Sequence, residues 1–276
     1  MTTESIFSKF DMTGKTAIIT GAAGLLGRQF SIALAQAGAN VVLADLAGDI
    51  ATQNANELND MGLGALAVEV EITDPDSTRA MVQRTLTAFG SLDVLVNSAA
   101  LDPKFDNANL VSQNVNEFET YALSSWKQAL DVNLTGMFLA SQAAVLPMLE
   151  QGRGVIVNIS STYGLVGPDQ RLYERPDGTR QFKPVYYSVT KAGVLGFTHY
   201  LATYFAGKNI RVNALTPGGV FNDHDAAFTE QYSARTVLGR MAKLDEMNAA
   251  MLFLCSDASS YMTGSNLVVD GGWTAW

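Results

Sequence analysis

The sequence predicts an α/β protein in which helices cover both faces of one parallel sheet. Short runs rich in β-branched residues alternate with helix-length amphipathic stretches along the chain, as a parallel sheet with crossover helices requires. Each run is too short and too apolar to face water on both sides. The 276 residues contain no internal repeat and no linker rich in Pro, Gly or Ser. We therefore expect a single domain over residues 1–276.

Seven strands are predicted, and a helical stretch follows each of them except the last. The strands cover residues 15–20, 40–44, 64–70, 92–97, 154–159, 210–215 and 266–269. The helices begin near Leu25, Asp49, Asp74, Trp126, Tyr186, Asp225 and Asp245. Right-handed crossovers on both faces would give a doubly wound fold. Such sheets bind ligands beyond the carboxyl ends of their strands, so the residues there are the first candidates for chemistry.

Composition excludes several classes of protein. Hydrophobic residues make up 47% and charged residues 16%, so a sizeable core is available and a disordered chain is excluded. The net charge of -9 argues against a nucleic-acid partner. No run approaches the roughly 18 apolar residues of a membrane span, and the N-terminus lacks a signal-peptide stretch. We expect a cytoplasmic protein without a membrane partner, with Cys255 as a buried core thiol.

The first strand leads into a glycine-rich turn. Residues 20–27 read TGAAGLLG, and a predicted helix follows at once. Glycines there let backbone N–H groups approach a pyrophosphate, and the helix N-terminus adds the positive end of its dipole. A tight strand-to-helix turn without a ligand is the alternative.

The second strand ends at an acidic residue, Asp45, which lies 24 positions after Gly21. A carboxylate at this place can accept hydrogen bonds from an adenosine ribose. Leu46 follows it, so no adjacent Arg or Lys would neutralise a 2′-phosphate, and repulsion favours NAD over NADP. The alternative is that Asp45 is a helix N-cap.

Tyr187 and Lys191 stand four positions apart in a predicted helix, so their side chains share one face. A neighbouring ammonium stabilises a phenolate and lowers the phenol pKa from its usual value near 10. Tyr187 would then exchange a proton near neutral pH. A solvated helix face is the alternative. Tyr186 has Thr190 as its fourth neighbour and is not a candidate.

Taken together, these motifs resemble the short-chain dehydrogenase/reductase family from about Gly14 to Gly272. They follow in the family's order: TGAAGLLG, Asp45, NSAA at 97–100, VNLTG at 132–136, IVNISS at 156–161, YSVTK at 187–191, IRVNALTPGG at 210–219 and TGSNLVVDGG at 263–272. The resemblance implies a Rossmann fold with a seven-stranded parallel sheet. Family members are usually tetramers or dimers, so a homotetramer or homodimer is expected.

The resemblance also implies roles for individual residues. Tyr187 would be the general acid/base, Ser161 would polarise the substrate carbonyl, and Lys191 would lower the tyrosine pKa and hold the nicotinamide ribose. Asn133 would position a water of the proton relay, and Ser160 would be a structural neighbour of Ser161. The implied cofactor contacts are Gly21, Gly24, Leu25, Leu26, Gly27, Asp45, Leu46, Glu71, Ile72, Asn97, Ala99, Tyr187, Lys191, Pro217, Gly218 and Val220.

The sequence departs from the family pattern at several cofactor positions. Leu25 stands where the commonest TGxxxGxG turn has its middle glycine, and the TGxxGxxG spacing is instead typical of the extended branch with its epimerases and dehydratases. Glu71 replaces a frequent adenine-contacting Asp, and Asn222 replaces a frequent Thr. The cofactor contacts at these two positions are therefore open.

Three loops are expected to form the substrate pocket, near residues 101–125, 166–186 and 219–240. The second carries four cations, Arg171, Arg175, Arg180 and Lys183, and the planar guanidiniums of the arginines suit a phosphate or a carboxylate. These cations favour an anionic substrate, with a solvated surface as the alternative. His224 lies where the family has a mobile lid, and a substrate contact there is a hypothesis. Two histidines so far apart do not indicate a metal site.

A closer resemblance joins LLGR at 25–28, PGG followed by Val220, GRMAK at 239–243 and the DGGWTAW terminus to the flagellin-modification protein A group. That group is associated with bacterial nonulosonic acid and surface-sugar biosynthesis, and it implies a sugar or sugar phosphate as substrate. The terminal Trp273 and Trp276 are expected to pack within the subunit or at an oligomer contact.

The leading interpretation is an NAD-dependent oxidoreductase that interconverts a secondary alcohol and a ketone on an anionic sugar. Three alternatives stay open. They are an isomerase or dehydratase with tightly held NAD, a ketoreductase of a lipid or acyl-carrier substrate, and a non-catalytic dinucleotide-binding protein.

Overall fold

A computed structural model describes residues 5–102, 116–174 and 181–276. These residues form a seven-stranded, all-parallel sheet with the strand order β3-β2-β1-β4-β5-β6-β7. The strands are β1 Thr16–Thr20, β2 Asn40–Asp45, β3 Ala65–Glu69, β4 Val94–Asn97, β5 Gly154–Ile159, β6 Ile210–Pro217 and β7 Asn266–Val269. The predicted doubly wound α/β class is confirmed.

Helices lie on both faces of the sheet. They are α1 Leu25–Gln36, α2 Gly48–Asp60, α3 Pro75–Phe89, α4 Leu123–Leu130, α5 Met137–Glu150, α6 Val185–Tyr204, α7 Ala226–Ser233 and α8 Asn248–Cys255. The predicted start at Trp126 is three residues late, because exposed Leu123 opens the helix on its solvent side. The predicted start at Asp245 is three residues early, because Asp245 belongs to a turn that the Asn248 N–H closes.

Two hydrophobic clusters cover the two faces of the sheet. Ile19 and Val41 belong to the cluster under α1, α2 and α8, whereas Ile18 and Val42 belong to the cluster under α3, α5 and α6. Neighbouring residues of one strand point to opposite faces, so a strand buried on both sides reads as a continuous apolar run. This burial is the physical reason for the apolar strand pattern.

One helical stretch, Leu123–Glu150, is long and apolar enough to cross a membrane, which the sequence reading did not anticipate. Its most apolar window has a mean hydropathy of 1.4, and 44% of that window is buried inside the protein. Ala140, Ala144 and Met148 pack in the core on the α3 side of the sheet. Core helices meet the same criterion, and this one is accounted for by its packing.

The carboxyl ends of the strands meet at one edge of the sheet, where the order reverses between β1 and β4. A buried network ties the layers together there. Asn97 Nδ2 donates to Asn158 Oδ1 at 2.8 Å and to Ser141 Oγ at 2.9 Å, and Asn158 Nδ2 donates to Thr198 Oγ1 at 2.9 Å. Helices α5 and α6 are thereby fixed relative to β4 and β5, and with them the side chains that reach the crevice.

Candidate active site

The turn after β1 has the shape of a phosphate cradle. Gly21 has φ +69°, and a Cβ on it would lie 2.7 Å from Ala99 Cα. A Cβ on Gly27 would lie 2.2 Å from the Gly21 carbonyl oxygen. Helix α1 begins at Leu25 with Gly24 as its N-cap and with no side-chain cap. The first N–H groups of a helix have no intrahelical acceptor, so they are available to a pyrophosphate.

Asp45 ends β2 beside this turn. Its Oδ2 accepts a hydrogen bond from the Ala23 N–H at 2.9 Å, and its Oδ1 accepts one from the Ala47 N–H at 2.9 Å. The residue that caps α2 is Ala47, so the alternative reading of Asp45 as the N-cap is wrong. A carboxylate oxygen can accept two hydrogen bonds, and each oxygen therefore keeps a lone pair for a ribose hydroxyl. Leu46 is 65% exposed beside it.

Other predicted cofactor residues, Glu71, Ile72 and Ala99, make contacts within the protein itself. Glu71 Oε1 accepts hydrogen bonds from the Thr73 N–H and hydroxyl at 3.0 and 2.8 Å. Ile72 is buried and packs against Gly136, where a Cβ would meet it at 2.6 Å. Any contact between Ile72 and a dinucleotide would therefore come from its backbone. The Ala99 N–H donates to Thr20 Oγ1 at 3.2 Å.

The loop after β6 closes the other side of the crevice. A Cβ on Gly218 would lie 2.7 Å from Asp270 Cα, so only glycine permits this approach to the chain after β7. The Gly219 N–H donates to the Tyr232 hydroxyl at 2.6 Å, and Val220 forms a parallel bridge with Ala242. Pro217 is the last residue of β6. These contacts fix the predicted cofactor loop 217–220 in place.

Ser160 and Ser161 follow β5 and have different partners. The Ser161 side chain is among the groups that lower the pKa of Tyr187, and its hydroxyl accepts a hydrogen bond from the Tyr163 N–H at 3.3 Å. The Ser160 hydroxyl donates to the Lys191 carbonyl at 2.8 Å, inside the fold. The geometry therefore gives Ser161 the contact with the predicted acid/base and gives Ser160 a structural one.

Lys191 is buried beside Tyr187. Its Nζ lies 5.9 Å from the centre of the Tyr187 ring and donates to the Ile159 carbonyl at 2.9 Å. Burial lowers the pKa of Lys191 to about 8. Burial, then the Asp102 carboxylate, raise the pKa of Tyr187 well above its usual value, and the Ser161 hydrogen bond opposes them. The pKa of Tyr187 therefore shifts in the direction opposite to the expected lowering, because burial is the largest cause.

Asn133 joins two elements of the site. It lies in a π-helical turn, Asp131–Gly136, between α4 and α5, and such turns are frequent at functional sites. Its Oδ1 accepts from the Leu101 N–H at 2.7 Å, and its Nδ2 donates to Thr190 Oγ1 at 3.1 Å and to the Leu101 carbonyl at 3.3 Å. Its amide thus holds the loop after β4 against α6, and the water-positioning role stays a prediction.

Arg171 is the one predicted substrate arginine that falls within the described residues, and it is already paired with a carboxylate. Arg171 is exposed, and its Nε lies 2.8 Å from Asp169, a carboxylate that also accepts from Arg235 at 2.7 Å. This pairing holds the pKa of Asp169 well below its usual range. Arg175 and Arg180 lie outside the described residues, as does most of the predicted loop near 101–125.

His224, the other predicted substrate contact, is half-buried in the loop before α7. Its Nδ1 accepts from the Asn222 N–H at 3.2 Å, and its ring stacks on Phe228 with centroids 5.1 Å apart. Burial lowers its pKa. A substrate contact at His224 stays a prediction.

Two groups of residues at the site make contacts that the sequence did not predict. One is an aromatic cluster in which Trp273 stacks on Tyr232 at 4.2 Å and Tyr163 lies edge-on to both Trp273 and Tyr187. Trp273 therefore packs inside the subunit. The other is an ion pair between Lys183 and Asp102, with Lys183 Nζ 4.1 Å from the centre of the Tyr187 ring. The terminal tryptophans were a signal for the first. For the second, Lys183 belongs to the cationic loop near 166–186, but its pairing with Asp102 had no signal in the sequence.

Comparisons with known proteins agree with this geometry. A family model described as enoyl-(acyl carrier protein) reductase matches residues 21–274. Trans-4-hydroxycyclohexanecarboxylate dehydrogenase of Sinomonas cyclohexanicum is 38% identical over 95% of this chain and 93% of its own length. The chain belongs to the short-chain dehydrogenase/reductase family.

Other relatives in this family have different substrates. The 3-alpha-(or 20-beta)-hydroxysteroid dehydrogenase of Mycobacterium bovis is 38% identical over 96% of this chain and 91% of its own length. The 3-oxoacyl-(acyl-carrier-protein) reductase of Aquifex aeolicus is 34% identical over 95% of this chain and 98% of its own length. The chain is thus an oxidoreductase of the short-chain type for secondary alcohols or ketones, and these relatives differ in what they act on.

Solved structures of the family share the fold. A short-chain dehydrogenase/reductase from Mycobacterium marinum superposes with a TM-score of 0.83 at 31% identity, covering 99% of this chain and all of that one. A gluconate 5-dehydrogenase from Burkholderia cenocepacia, in complex with NADP and tartrate, superposes with a TM-score of 0.85 at 27% identity over the same shares. The family's dinucleotide-binding fold therefore spans the chain.

The two serines after β5 provide a matched test of the site. Ser161→Ala is expected to lower kcat about 100- to 1,000-fold, because it removes a donor at the oxygen where charge develops. Ser160→Ala should leave kcat within about threefold of the wild type and cost about 1 kcal/mol of stability through one lost buried hydrogen bond. Steady-state kinetics and thermal unfolding measure both effects. Equal losses of kcat in the two variants would contradict the assignment.

Proposed function

We propose that the chain is an NAD-dependent oxidoreductase that interconverts a secondary alcohol and a ketone on a small polar, anionic molecule. The observation that carries the proposal is the grouping of Ser161, Lys191 and Tyr187 at the carboxyl edge of the sheet: Lys191 Nζ lies 5.9 Å from the centre of the Tyr187 ring, and the Ser161 side chain is among the groups that lower the pKa of Tyr187. It places an acid/base and a hydrogen-bond donor where the reacting oxygen of a substrate would lie.

The residues of the cradle fit a nicotinamide dinucleotide. Gly21 and Gly27 let the turn pack closely against Ala99 and against itself, α1 begins without a side-chain cap, and Asp45 keeps acceptor capacity toward a ribose. When bound, the nicotinamide supplies or takes the hydride. We assign the pyrophosphate to the start of α1 and the adenosine ribose to Asp45.

The chain's own residues would handle the proton. In the direction of oxidation, the Tyr187 oxygen accepts the proton of the substrate hydroxyl, and in reduction it returns one to the carbonyl oxygen. Ser161 donates a hydrogen bond to the same substrate oxygen and stabilises the charge that develops there. Lys191, held by the Ile159 carbonyl, provides a donor next to the phenol. Asn133 keeps the loop after β4 in register with α6.

The preference for NAD rests on Asp45. A 2′-phosphate placed beside this carboxylate would be repelled, and exposed Leu46 offers it no cation. We expect the wild type to bind NADH at least about tenfold tighter than NADPH, a difference of roughly 1.4 kcal/mol. Asp45→Ala should reduce that ratio, and Asp45→Arg should invert it. Fluorescence titration with NADH and NADPH measures the six affinities of the wild type and the two variants.

The ratio of the two affinities is the informative readout for Asp45. Its carboxylate also holds Ala23 and Ala47, so its removal disturbs the turn, but this disturbance affects both cofactors alike. Asp49→Ala, at an exposed carboxylate in the first turn of α2, is the matched control and should leave the ratio unchanged. Equal or tighter NADPH binding by the wild type would refute the NAD assignment.

The substrate class is a proposal with two sources of support. Two of the proteins named above act on acids with a secondary alcohol, by their names a hydroxycyclohexanecarboxylate and gluconate. A buried ammonium, that of Lys183, lies on the Tyr187 ring. The sugar or sugar phosphate of the flagellin-modification resemblance is one member of this class. An assay panel should contain hydroxycyclohexanecarboxylates, sugar acids and sugar phosphates, with NAD as oxidant.

A ketoreductase of acyl-carrier substrates is the second candidate. The family model and the Aquifex aeolicus relative carry names of that class. It predicts a preference for NADPH and turnover of a 3-oxoacyl thioester. If the cofactor ratio favours NADPH and the acid panel is inactive, this second function replaces the first.

A further inference from the structure

An ion pair between Asp102 and Lys183 lies beside the ring of Tyr187, the proposed acid/base. Lys183 Nζ is 2.6 Å from Asp102 Oδ1 and 4.1 Å from the centre of the Tyr187 ring. The ammonium is thus closer to the ring of the proposed acid/base than Lys191 Nζ, at 5.9 Å. A group bound to Lys183 would lie next to a molecule that reacts at Tyr187.

The backbones of both partners are held in place by side chains. Gln170 clamps Lys183 twice: its Oε1 accepts from the Lys183 N–H at 2.9 Å, and its Nε2 donates to the Lys183 carbonyl at 3.1 Å. Asp102 directly follows Leu101, whose N–H and carbonyl are both bonded to Asn133. Hydrogen bonds therefore fix the backbone on both sides of the ion pair, and Asn133 connects the Asp102 side to α6.

The two partners differ in exposure. The Lys183 side chain is 9% exposed, whereas that of Asp102 is 55% exposed. A buried ammonium requires an anionic partner. The half-exposed carboxylate, by contrast, loses little when it turns to water. Of the two groups, the carboxylate is the one that an incoming anion can replace.

The charges of the pair act on other titratable groups of the site. The Asp102 carboxylate is among the causes that raise the pKa values of Tyr187, Lys191 and His224, and Lys183 is among those that lower the pKa values of Lys191 and His224. These groups come from α6 and from the loop before α7. An anion seated on Lys183 would therefore act electrostatically on both the proposed acid/base and the predicted lid residue.

We propose that Lys183 is the specificity residue that receives the anionic oxygen group of the substrate, a carboxylate or a phosphate, in the place that Asp102 occupies. The inference deepens the proposed function and rests on it. Within the described part of the loop near 166–186, Arg171 is already paired with Asp169, so we assign the anion to Lys183.

Calorimetry with three ring ligands tests the proposal without turnover. The probes are cyclohexanecarboxylate, cyclohexyl phosphate and the neutral cyclohexanecarboxamide, titrated into the full chain with and without NADH. The wild type is expected to bind at least one of the two anions at least about tenfold more tightly than the neutral carboxamide. Preference for the carboxylate alone, the phosphate alone or both identifies the anion that the site accepts.

Three variants assign the preference to the ion pair. Lys183→Met should bring anion and carboxamide affinities within about twofold of each other, and Lys183→Arg should keep the anion preference. Asp102→Asn removes the competing carboxylate and should tighten anion binding several-fold while leaving the carboxamide unchanged. Thermal unfolding and NADH affinity, measured for each variant, show that the fold is intact.

The proposal is overturned if the wild type does not prefer either anion, or if folded Lys183→Met keeps the preference. Failure of the proposed function gives a different result, namely no NADH binding and no turnover by the wild type. Because ligand binding is also measured without NADH, the role of Lys183 is decided in both cases.

Discussion

Tyr187→Phe is expected to lower kcat by about three to four orders of magnitude while NADH binding stays within about twofold of the wild type. The substitution removes the hydroxyl that we propose exchanges the proton and keeps the ring, which packs edge-on against Tyr163 and contacts the Lys183 ammonium. Steady-state formation of NADH, fluorescence titration of the cofactor and thermal unfolding together separate a chemical defect from a binding or folding defect.

Tyr186→Phe is the matched control for this experiment. Tyr186 is the adjacent phenol on α6, it is buried, and its ring lies 6.3 Å from that of Tyr121. Its loss should leave kcat within about threefold, because its hydroxyl takes no part in the proposed proton transfer. A Tyr187→Phe enzyme with more than a tenth of the wild-type kcat would contradict the assignment of the acid/base.

The pH dependence follows from the same phenol. Burial raises the pKa of Tyr187, so the phenolate that oxidation needs gains population as the pH rises, and the phenol that reduction needs is lost. The rate of alcohol oxidation by the wild type is therefore expected to increase toward alkaline pH and that of ketone reduction to decrease. A flat pH profile in both directions would show that another group carries the proton.

Gly27→Ala is expected to weaken NADH binding at least about 100-fold and to cost about 1–3 kcal/mol of stability. The new Cβ would lie 2.2 Å from the Gly21 carbonyl oxygen and 2.9 Å from Ala22 Cα. Both are backbone atoms of the glycine turn, so no rotamer relieves the contact and the turn must move. Cofactor titration and chemical denaturation measure the two effects.

Gly196→Ala provides the comparison for a helical glycine without a neighbour. It lies in α6, and a Cβ there would have no heavy atom within 4 Å. Alanine is favoured over glycine inside a helix by roughly 0.5–1 kcal/mol, so this variant should be slightly stabilised and should bind NADH normally. Wild-type affinity in Gly27→Ala would mean that the dinucleotide does not use this turn.

The parts of the fold that the sequence predicted are those in which local pattern and burial agree. Ile18 and Ile19 are both buried, on opposite faces of β1, and an uninterrupted apolar run is the pattern that such burial requires. The proximity of Ser161 and Tyr187 was also predictable. Ser161 follows β5 and Tyr187 lies in the first turn of α6, and both places are at the carboxyl edge of a parallel sheet.

What the sequence did not reveal depends on contacts between distant segments. Lys183 and Asp102 are 81 positions apart, and although Lys183 belongs to the predicted cationic loop, no pattern in the sequence pairs it with Asp102. Arg171 looked available to a substrate, yet the turn after Asp169 brings its guanidinium back onto that carboxylate. The raised Tyr187 pKa likewise follows from burial, which spacing along a helix does not report.

The pairing of β1 with β4 has a consequence for how this protein folds. Ala17 lies beside Val94, and Gly21 lies against Ala99, so both halves of the cradle come from segments almost eighty positions apart. Pairings of such sequence separation form slowly, because the chain entropy of loop closure is lost before the contacts compensate for it. The dinucleotide can therefore recognise the chain only after its central strands have met. By mass action, the bound cofactor then holds the protein in the native ensemble.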